Sequence, residues 1–476
     1  MNLRTPTLAL LALATALPAA EPVTTDQRID DLEQQVKILA RKAEIATEEA
    51  AAKAKTTAAT GTTVTASEKD GFTIKANDGS WRLKFGALFA ADTRIFVHDR
   101  QGDAVQPSGS SGSSQFLVRW FRPSISGSLG KYIDFTLVPE FGGSAAGIVD
   151  GYVDVKLNPA ASVRVGKFVQ PLGLERWQPA SALVFGERSL ASNLTSNRDN
   201  GIQLSGEFAK GLFGYAVGVF NGNPDNGNTN GETAASSTRS SDGKDVVARI
   251  TSKPFVDSGN DALNGLTVAV SASVGEEDGA SGPSYVSTGQ LALTSYRAGV
   301  TADGRRVRLN PQLSYYSGSF SLLSEYVIAR QRYSTTGGAT TASNKGWLIS
   351  AGYVLTGEKA GWRGVVPAAA FDPANGSWGA VEVVARLHQL AIDGKTLSNP
   401  TGATNQPSDA TAIANPWQTP RKATAVGLGL NWWLTRNVRL ANVYERTVYD
   451  GGAGGRNTVS DRATEHVVLS RLQVSF

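Results

Sequence analysis

The chain of 476 residues contains no cysteine, one methionine and three histidines. Without cysteine there is no disulfide framework, no thiolate zinc site and no thiol nucleophile. The histidines, His98, His388 and His466, stand far apart, and none lies in a nucleophile or metal-ligand motif. Catalytic residues, metal ligands and a bound cofactor are therefore not expected. Long apolar runs are missing as well: beyond the N-terminus no stretch approaches the ~18 apolar residues of a spanning helix. Charge of one sign is scarce too. The 46 basic residues face 42 acidic ones, a net +4, too mild an excess to call for a nucleic-acid partner. What is abundant is glycine, 51 residues in a composition that is 41% hydrophobic. That mixture suits neither a helical membrane protein nor a helical soluble one.

The chain divides by pattern. Arg4 precedes a short apolar core, Leu8 to Leu17, with small residues at Ala14-Thr15-Ala16 and Ala19-Ala20. This reads as a cleaved secretory signal over residues 1–20, cut between Ala16 and Glu21. Residues 24–55 lack glycine and are rich in Ala, Glu, Lys and Gln. Ile29, Leu32, Val36, Leu39, Ala43, Ala46 and Ala50 alternate at spacings of three and four, an a/d seam flanked by charge. A single amphipathic helix is the plainer reading, but so narrow a stripe would bury little on a globular surface. The expectation is a coiled-coil stalk, and with it oligomerisation. A linker over residues 56–79, rich at first in Thr, Ala and Gly, leads to the main domain, residues 80–476.

From Ser80 the apolar period becomes two. Ile133, Phe135 and Leu137 alternate with Tyr132, Asp134 and Thr136, and Val153, Val155 and Leu157 with Tyr152, Asp154 and Lys156. Trp347, Ile349, Ala351, Tyr353 and Leu355 form another row. Each such segment has one apolar face and one different face. A soluble sandwich would share this period. Three features favour a membrane barrel: segment lengths near that of a spanning strand, charges and glycines on the second face, and aromatic residues near strand ends such as Trp432, Trp433, Tyr444 and Tyr449. Tight turns at 127–131, 158–160 and 210–211 alternate with long loops at 102–114, 221–242, 275–304 and 397–419, the asymmetry of outer-membrane barrels. The expected fold class is all-β, a transmembrane antiparallel β-barrel of about 16 strands, preceded by the helical segment. The last strand agrees, with Val468, Ser470, Leu472, Val474 and Phe476 on one face.

A series of segments then resembles the phosphate-selective porin family, the porins O and P. They are Phe116 to Arg122, Gly127 to Lys131, Val163 to Phe168, Pro171 to Arg176, Gly186 to Leu190, Gly201 to Gly206 and Gly218 to Gly222. Gly352 to Glu358 resembles the family's late strand and the start of an outer loop, and Gly427 to Trp433 and Arg471 to Phe476 its final strands. The resemblance implies a homotrimeric sixteen-stranded barrel in the bacterial outer membrane, in contact with its lipid, whose third outer loop folds inward between Phe168 and Gly201.

An anion entering a narrow pore sheds part of its hydration, which fixed positive charge must replace. Arginine suits this, since its planar fork stays charged and grips oxyanions by two hydrogen bonds. The candidate pore-lining residues are Arg82 and Lys84 on the first strand, Arg119 and Arg122 on the second, Arg164 and Lys167, and Arg176 and Arg188 in the inward loop. Arg94, Arg306, Arg308, Arg386 and Arg471 share the polar parity of their strands. Arg119 and Arg122 have opposite parity, so only one points inward unless Pro123 marks a bulge, and Lys167 sits among apolar positions. The family carries two lysines separated by a serine pair after its Gly-Leu-Glu motif. Here Arg176 takes the first lysine's place, Pro179 and Ala180 the serines' and Ser181 the second lysine's. The expectation is a porin for small anions, with phosphate or polyphosphate as candidate solutes. The alternative is a general or organic-solute porin whose coiled coil tethers the barrel to peptidoglycan or a periplasmic partner.

Overall fold

The computed structural model describes residues 25–68, 71–97, 112–143, 146–227, 243–335, 337–397, 413–455 and 458–476. The expected signal segment and His98 lie outside them. The chain forms two units, residues 1–61 and 62–476.

The first unit contains one helix, α1, Thr25–Thr60. Its sequence has neither Gly nor Pro, and Asp26 in the first turn faces the positive end of the helix dipole. Gly61 follows its end. Every side chain from 25 to 50 is exposed, including the stripe Ile29, Leu32, Val36 and Leu39.

In the second unit, the span expected as a linker is ordered. Thr62–Ser67 and Gly71–Ala76 form a hairpin, with Thr62 opposite Ala76. Its alternating β-branched residues, Val64, Thr65, Thr73 and Ile74, favour strand despite the Thr/Ala/Gly composition. The hairpin then pairs onto the first barrel strand, Phe72 opposite Phe85.

Among the described residues, sixteen antiparallel strands close into a barrel. The first eight are β1 Trp81–Phe96, β2 Gln115–Leu129, β3 Ile133–Glu140, β4 Gly147–Asn158, β5 Ala161–Val169, β6 Arg198–Phe208, β7 Phe213–Phe220 and β8 Asp245–Ser252. The rest are β9 Leu266–Ser281, β10 Thr301–Ser317, β11 Phe320–Thr335, β12 Gly338–Val354, β13 Ala380–Ala391, β14 Pro420–Trp433, β15 Val438–Gly455 and β16 Glu465–Ser475. The seam joins β16 to β1, and Ala87 and Phe476 exchange both backbone hydrogen bonds at 3.1 Å. Gly86 is required there: a β-carbon would lie 2.4 Å from the Phe476 oxygen.

The wall has two heights. β3, β7 and β8 have 8 residues each and β5 has 9, whereas β9 to β12 have 16 or 17. The predicted alternation holds on both. Ile133, Leu137, Val153, Ile349, Tyr353 and Leu355 are exposed on the outside, while Glu325, Arg308, Arg386 and Arg471 are buried within.

The lumen is narrowed by two segments entering from the loop end. One is residues 170–197, as expected. The other is residues 282–300, which the sequence placed inside an outer loop. Its Ser287 and Leu291, and its Tyr285 and Leu293, pair as a small hairpin, and Asn193 of the first segment exchanges hydrogen bonds with Val286 at 2.9 and 3.0 Å. Leu190, Ala191 and Leu194 pack with Tyr285 and Leu293 on inward Val327, Ala329, Leu348 and Leu390. Part of the inner face beneath these loops is therefore apolar. One expectation fails. The segment after Val354 is not an outer loop, because β12 descends to the end that holds Trp81 and Phe476, so residues 355–379 lie at the turn end.

Candidate functional site

The first inward segment is held by carboxylates, amides and guanidiniums of the wall. Glu325 accepts from the Leu174 amide at 2.8 Å, and Asn310 accepts from the Gly173 amide at 3.0 Å. His388 Nδ1 accepts from the Leu190 amide at 3.0 Å. In the other direction, Arg439 donates to the Leu183 carbonyl at 2.7 Å and Arg386 to the Glu187 carbonyl at 2.9 Å. Gly186 lets the loop pass close to the wall, since a β-carbon there would lie 2.2 Å from Leu469. Backbone groups that would be orphaned in a non-regular segment are thus satisfied by inward polar residues.

Glu187 is the main anchor. Arg119 grips it with two bonds, 2.5 and 3.0 Å, Arg94 reaches it at 3.3 Å and Arg471 at 3.7 Å. Burial alone would raise its carboxyl pKa, but Arg119, then Arg471 and Arg94, outweigh burial and hold it down at about 2. Other wall arginines are also matched, although Arg249 and Arg439 form no ion pair among the described residues. Arg471 binds Asp92 at 2.6 and 2.7 Å. Arg308 binds Asp225 at 2.7 Å, and Arg306 binds Asp245 at 2.8 Å. Arg386 pairs with Glu445 and, at 3.4 Å, with Glu175. These are struts with their charge already compensated.

Arg176 and Arg188, on the loop itself, are different. Arg176 donates to the Ser192 carbonyl at 3.0 Å and to the Asn226 amide oxygen, and its Nε has no partner. Arg188 donates to the Glu175 carbonyl at 3.2 Å and to the Gln178 carbonyl at 3.5 Å. Among the described residues neither forms an ion pair. Burial brings the Arg176 guanidinium down to about 10. Burial and then the neighbouring Arg176 push Arg188 well below the ordinary guanidinium value. Two adjacent charges held this way favour an entering anion, which lowers the cost of both.

These residues face a cavity of about 170 Å³ lined by Arg119, Arg176, Glu187, Arg188, Ser189, Ser192, Asn193, Asn197, Asn226, Val286, Ser287 and Gln290. Three of the eight predicted pore residues, Arg119, Arg176 and Arg188, meet here. Arg119 reaches it through a bulge: Ala90 pairs with Trp120 and Ala91 with Val118, so Arg119 is skipped. Arg119 and Arg122 therefore both turn inward despite their spacing. Arg122 pairs with Glu140 and lies 4.9 Å above the Trp120 ring. Arg164 binds Asp154 at 2.7 and 2.8 Å and lies 3.9 Å over Tyr152. Lys167 is buried opposite Gly151 and Asn200, its Nζ donating no hydrogen bond among the described residues, and it does not line the cavity. Arg82 and Lys84 sit at the turn end, opposite Lys75 and Thr73 of the hairpin. Ser189, Asn226 and Gln290 carried no sequence signal, because nothing in a Ser/Asn/Gly-rich loop marks which polar residue turns inward.

A family model described as phosphate-selective porin O and P matches residues 89–476. Among solved structures, the fold is similar to the outer membrane channel DcaP of Acinetobacter baumannii, with a TM-score of 0.52 and 10% identity, over 84% of this chain and 99% of that one. Vibrio cholerae OmpT, an outer membrane protein, aligns at TM-score 0.49 and 9% identity, over 83% and 98% of the two chains. No curated relative matches the sequence.

Proposed function

From the premise that the chain belongs to the phosphate-selective porin O and P family and is a porin of the bacterial outer membrane, we propose that it passes small anions by passive diffusion, phosphate and polyphosphate being candidate solutes. The observation that carries this reading is the contrast at the constriction. Arg119, Arg386 and Arg471 of the wall are neutralised there, while Arg176 and Arg188 form no ion pair among the described residues and face the cavity. An oxyanion gains two charge-assisted contacts at this point and loses only part of its hydration. The sites are few and moderate, so the anion also leaves. Arg119 adds field but is matched to Glu187. Arg82, Lys84, Arg122, Arg164 and Lys167 serve, on this reading, as weaker attraction along the approaches.

The test is the zero-current potential of the purified protein in a planar bilayer under a potassium chloride gradient, followed by phosphate addition. An anion-favouring potential with phosphate block of the chloride current is expected. A cation-favouring or unselective potential would favour the second reading, a general or organic-solute porin. The observation on that side is the number of lumen arginines already cancelled by Asp and Glu.

A homotrimer completes the proposal. A strand of eight residues rises about 26 Å and, tilted by about 45°, covers about 19 Å of the membrane normal, short of the ~25 Å apolar band. The short strands β3, β5, β7 and β8 are thus poorly matched to lipid, and this stretch of wall is suited to face another copy. The stripe on α1 supports a coiled-coil stalk, through which peptidoglycan or a periplasmic partner would be held. Residues 1–20 serve as the secretory signal. Deleting residues 24–55 should abolish sedimentation with peptidoglycan while leaving conductance; retained sedimentation would remove the tether.

A further inference from the structure

Gln290 stands at the tip of the second inward segment with φ +66, a left-handed conformation that non-glycine residues rarely adopt. The tip is fixed on several sides. The Gln290 amide donates to the Ser287 carbonyl at 3.0 Å. The Gly289 amide donates to Glu465 Oε1 at 2.8 Å, and the Leu291 amide to Ser287 Oγ at 3.0 Å. Leu291 packs with Phe96 and Val467. The surroundings over-determine a strained residue whose side chain lines the same cavity as Arg176 and Arg188. Among the described residues its own amide is nearly unused: Nε2 has one long contact, 3.5 Å to the Ser287 carbonyl, and its Oε1 takes no hydrogen bond. On the arginine side, Ser189 Oγ and Arg176 Nε are buried without partners among the described residues.

An anion without a hydroxyl, such as chloride, sulfate or a plain carboxylate, presents acceptors only, and an amide oxygen in its path repels it. A hydroxyl-bearing anion uses both halves of the amide, donating to Oε1 and accepting from Nε2. We infer that Gln290 is a specificity-determining residue, and that the preferred solute is a small organic anion, a carboxylate or phosphate ester, carrying at least one hydroxyl. Its charge is held by Arg176 and Arg188 and its hydroxyl by Gln290. A pocket that hydrogen-bonds a hydroxyl discriminates strongly against the analogue lacking it, because its buried polar groups are then left unpaired. This inference rests on the anion reading above, and the experiment keeps the two apart.

Bi-ionic reversal potentials of the full-length protein in planar bilayers compare lactate with propionate, and glycerol 3-phosphate with propyl phosphate. The chloride reversal potential of the wild-type channel, taken first, tests the anion reading alone. The expected result is that each hydroxylated ion outranks its deoxy analogue severalfold. In Gln290→Gly, which removes the amide and suits the positive φ, both ratios should fall to unity. In Gln290→Asn, which keeps an amide and tolerates that φ, a preference should remain. A preference only in the carboxylate pair, or only in the phosphate pair, identifies the head group. Equal permeabilities in the wild type, or a preference that Gln290→Gly leaves intact, would overturn the inference even with a fully anion-selective channel.

Discussion

The wall of the barrel and the segment folded inside it both carry arginine, but they use it differently. On the wall, Arg94, Arg119, Arg386 and Arg471 are joined to Glu187, Glu445 and Asp92. On the loop, Arg176 and Arg188 meet only carbonyl and amide oxygens. The same side chain is a strut in one region and an open site in the other. What separates them is whether a carboxylate lies across the gap. Counting inward arginines therefore overstates the positive field, and position relative to Asp and Glu decides it.

The sharpest way to break this contrast is to turn a strut into an open charge. Glu187→Gln leaves buried Arg94 and half-buried Arg119 without their carboxylate, at a cost of about 3–5 kcal/mol. The loop should undock, and single-channel conductance should rise and become noisy; an unchanged conductance would show that Glu187 is not the anchor. Removing the open charges comes next. Arg176→Ala and Arg188→Ala each delete charge-assisted contacts worth about 1.5–3 kcal/mol, so phosphate block of chloride current should weaken roughly tenfold or more per substitution. Ion titration in bilayers checks this. Glu187 also sets a pH window. Its pKa is lowered from 4.5 to about 2, so its stabilising contribution is fully present above 4.5 and is lost as pH falls through about 2. Conductance should stay level from pH 7 down to about 3.5 and become unstable only near 2, as a pH series of single-channel records would show. The smallest effect belongs to Arg82→Gln, an exposed charge at the turn end. Thermal stability should move by no more than about 0.5 kcal/mol, and selectivity only slightly, in melting and reversal-potential measurements.

The barrel was legible because a wall with lipid on one side must alternate, and rows such as Ile133 to Leu137 do so without interruption. The inward position of residues 170–197 came from family resemblance rather than from pattern. Other features were hidden for physical reasons. The bulge at Arg119 is a backbone event and leaves no mark in a run of Val-Arg-Trp-Phe-Arg. Val327, Leu348 and Leu390 sit on the lumen parity because loops cover them, so their hydrophobicity points the wrong way. The segment 282–300 reads as any solvent loop, since its structure comes from partners such as Asp225, Asn193 and Glu465 far away in sequence. Residues 355–379 fall at the other end because the resemblance of Gly352 to Glu358 to the family's late strand, rather than any pattern in the residues, implied an outer loop.

The seam between β1 and β16 has a consequence for how the molecule is made. Every other wall contact joins strands adjacent along the chain and can form as a local hairpin, whereas this one joins the two ends of the sheet. Its formation is the least local step of folding and depends on the rest of the sheet being curved into place. Until then the sheet carries two unpaired edges, the form most prone to join other chains. Gly86, with Phe476 against it, thus guards the moment of closure more than the finished wall. A bulky residue there would spare the hairpins and strand the protein as an open, aggregating sheet.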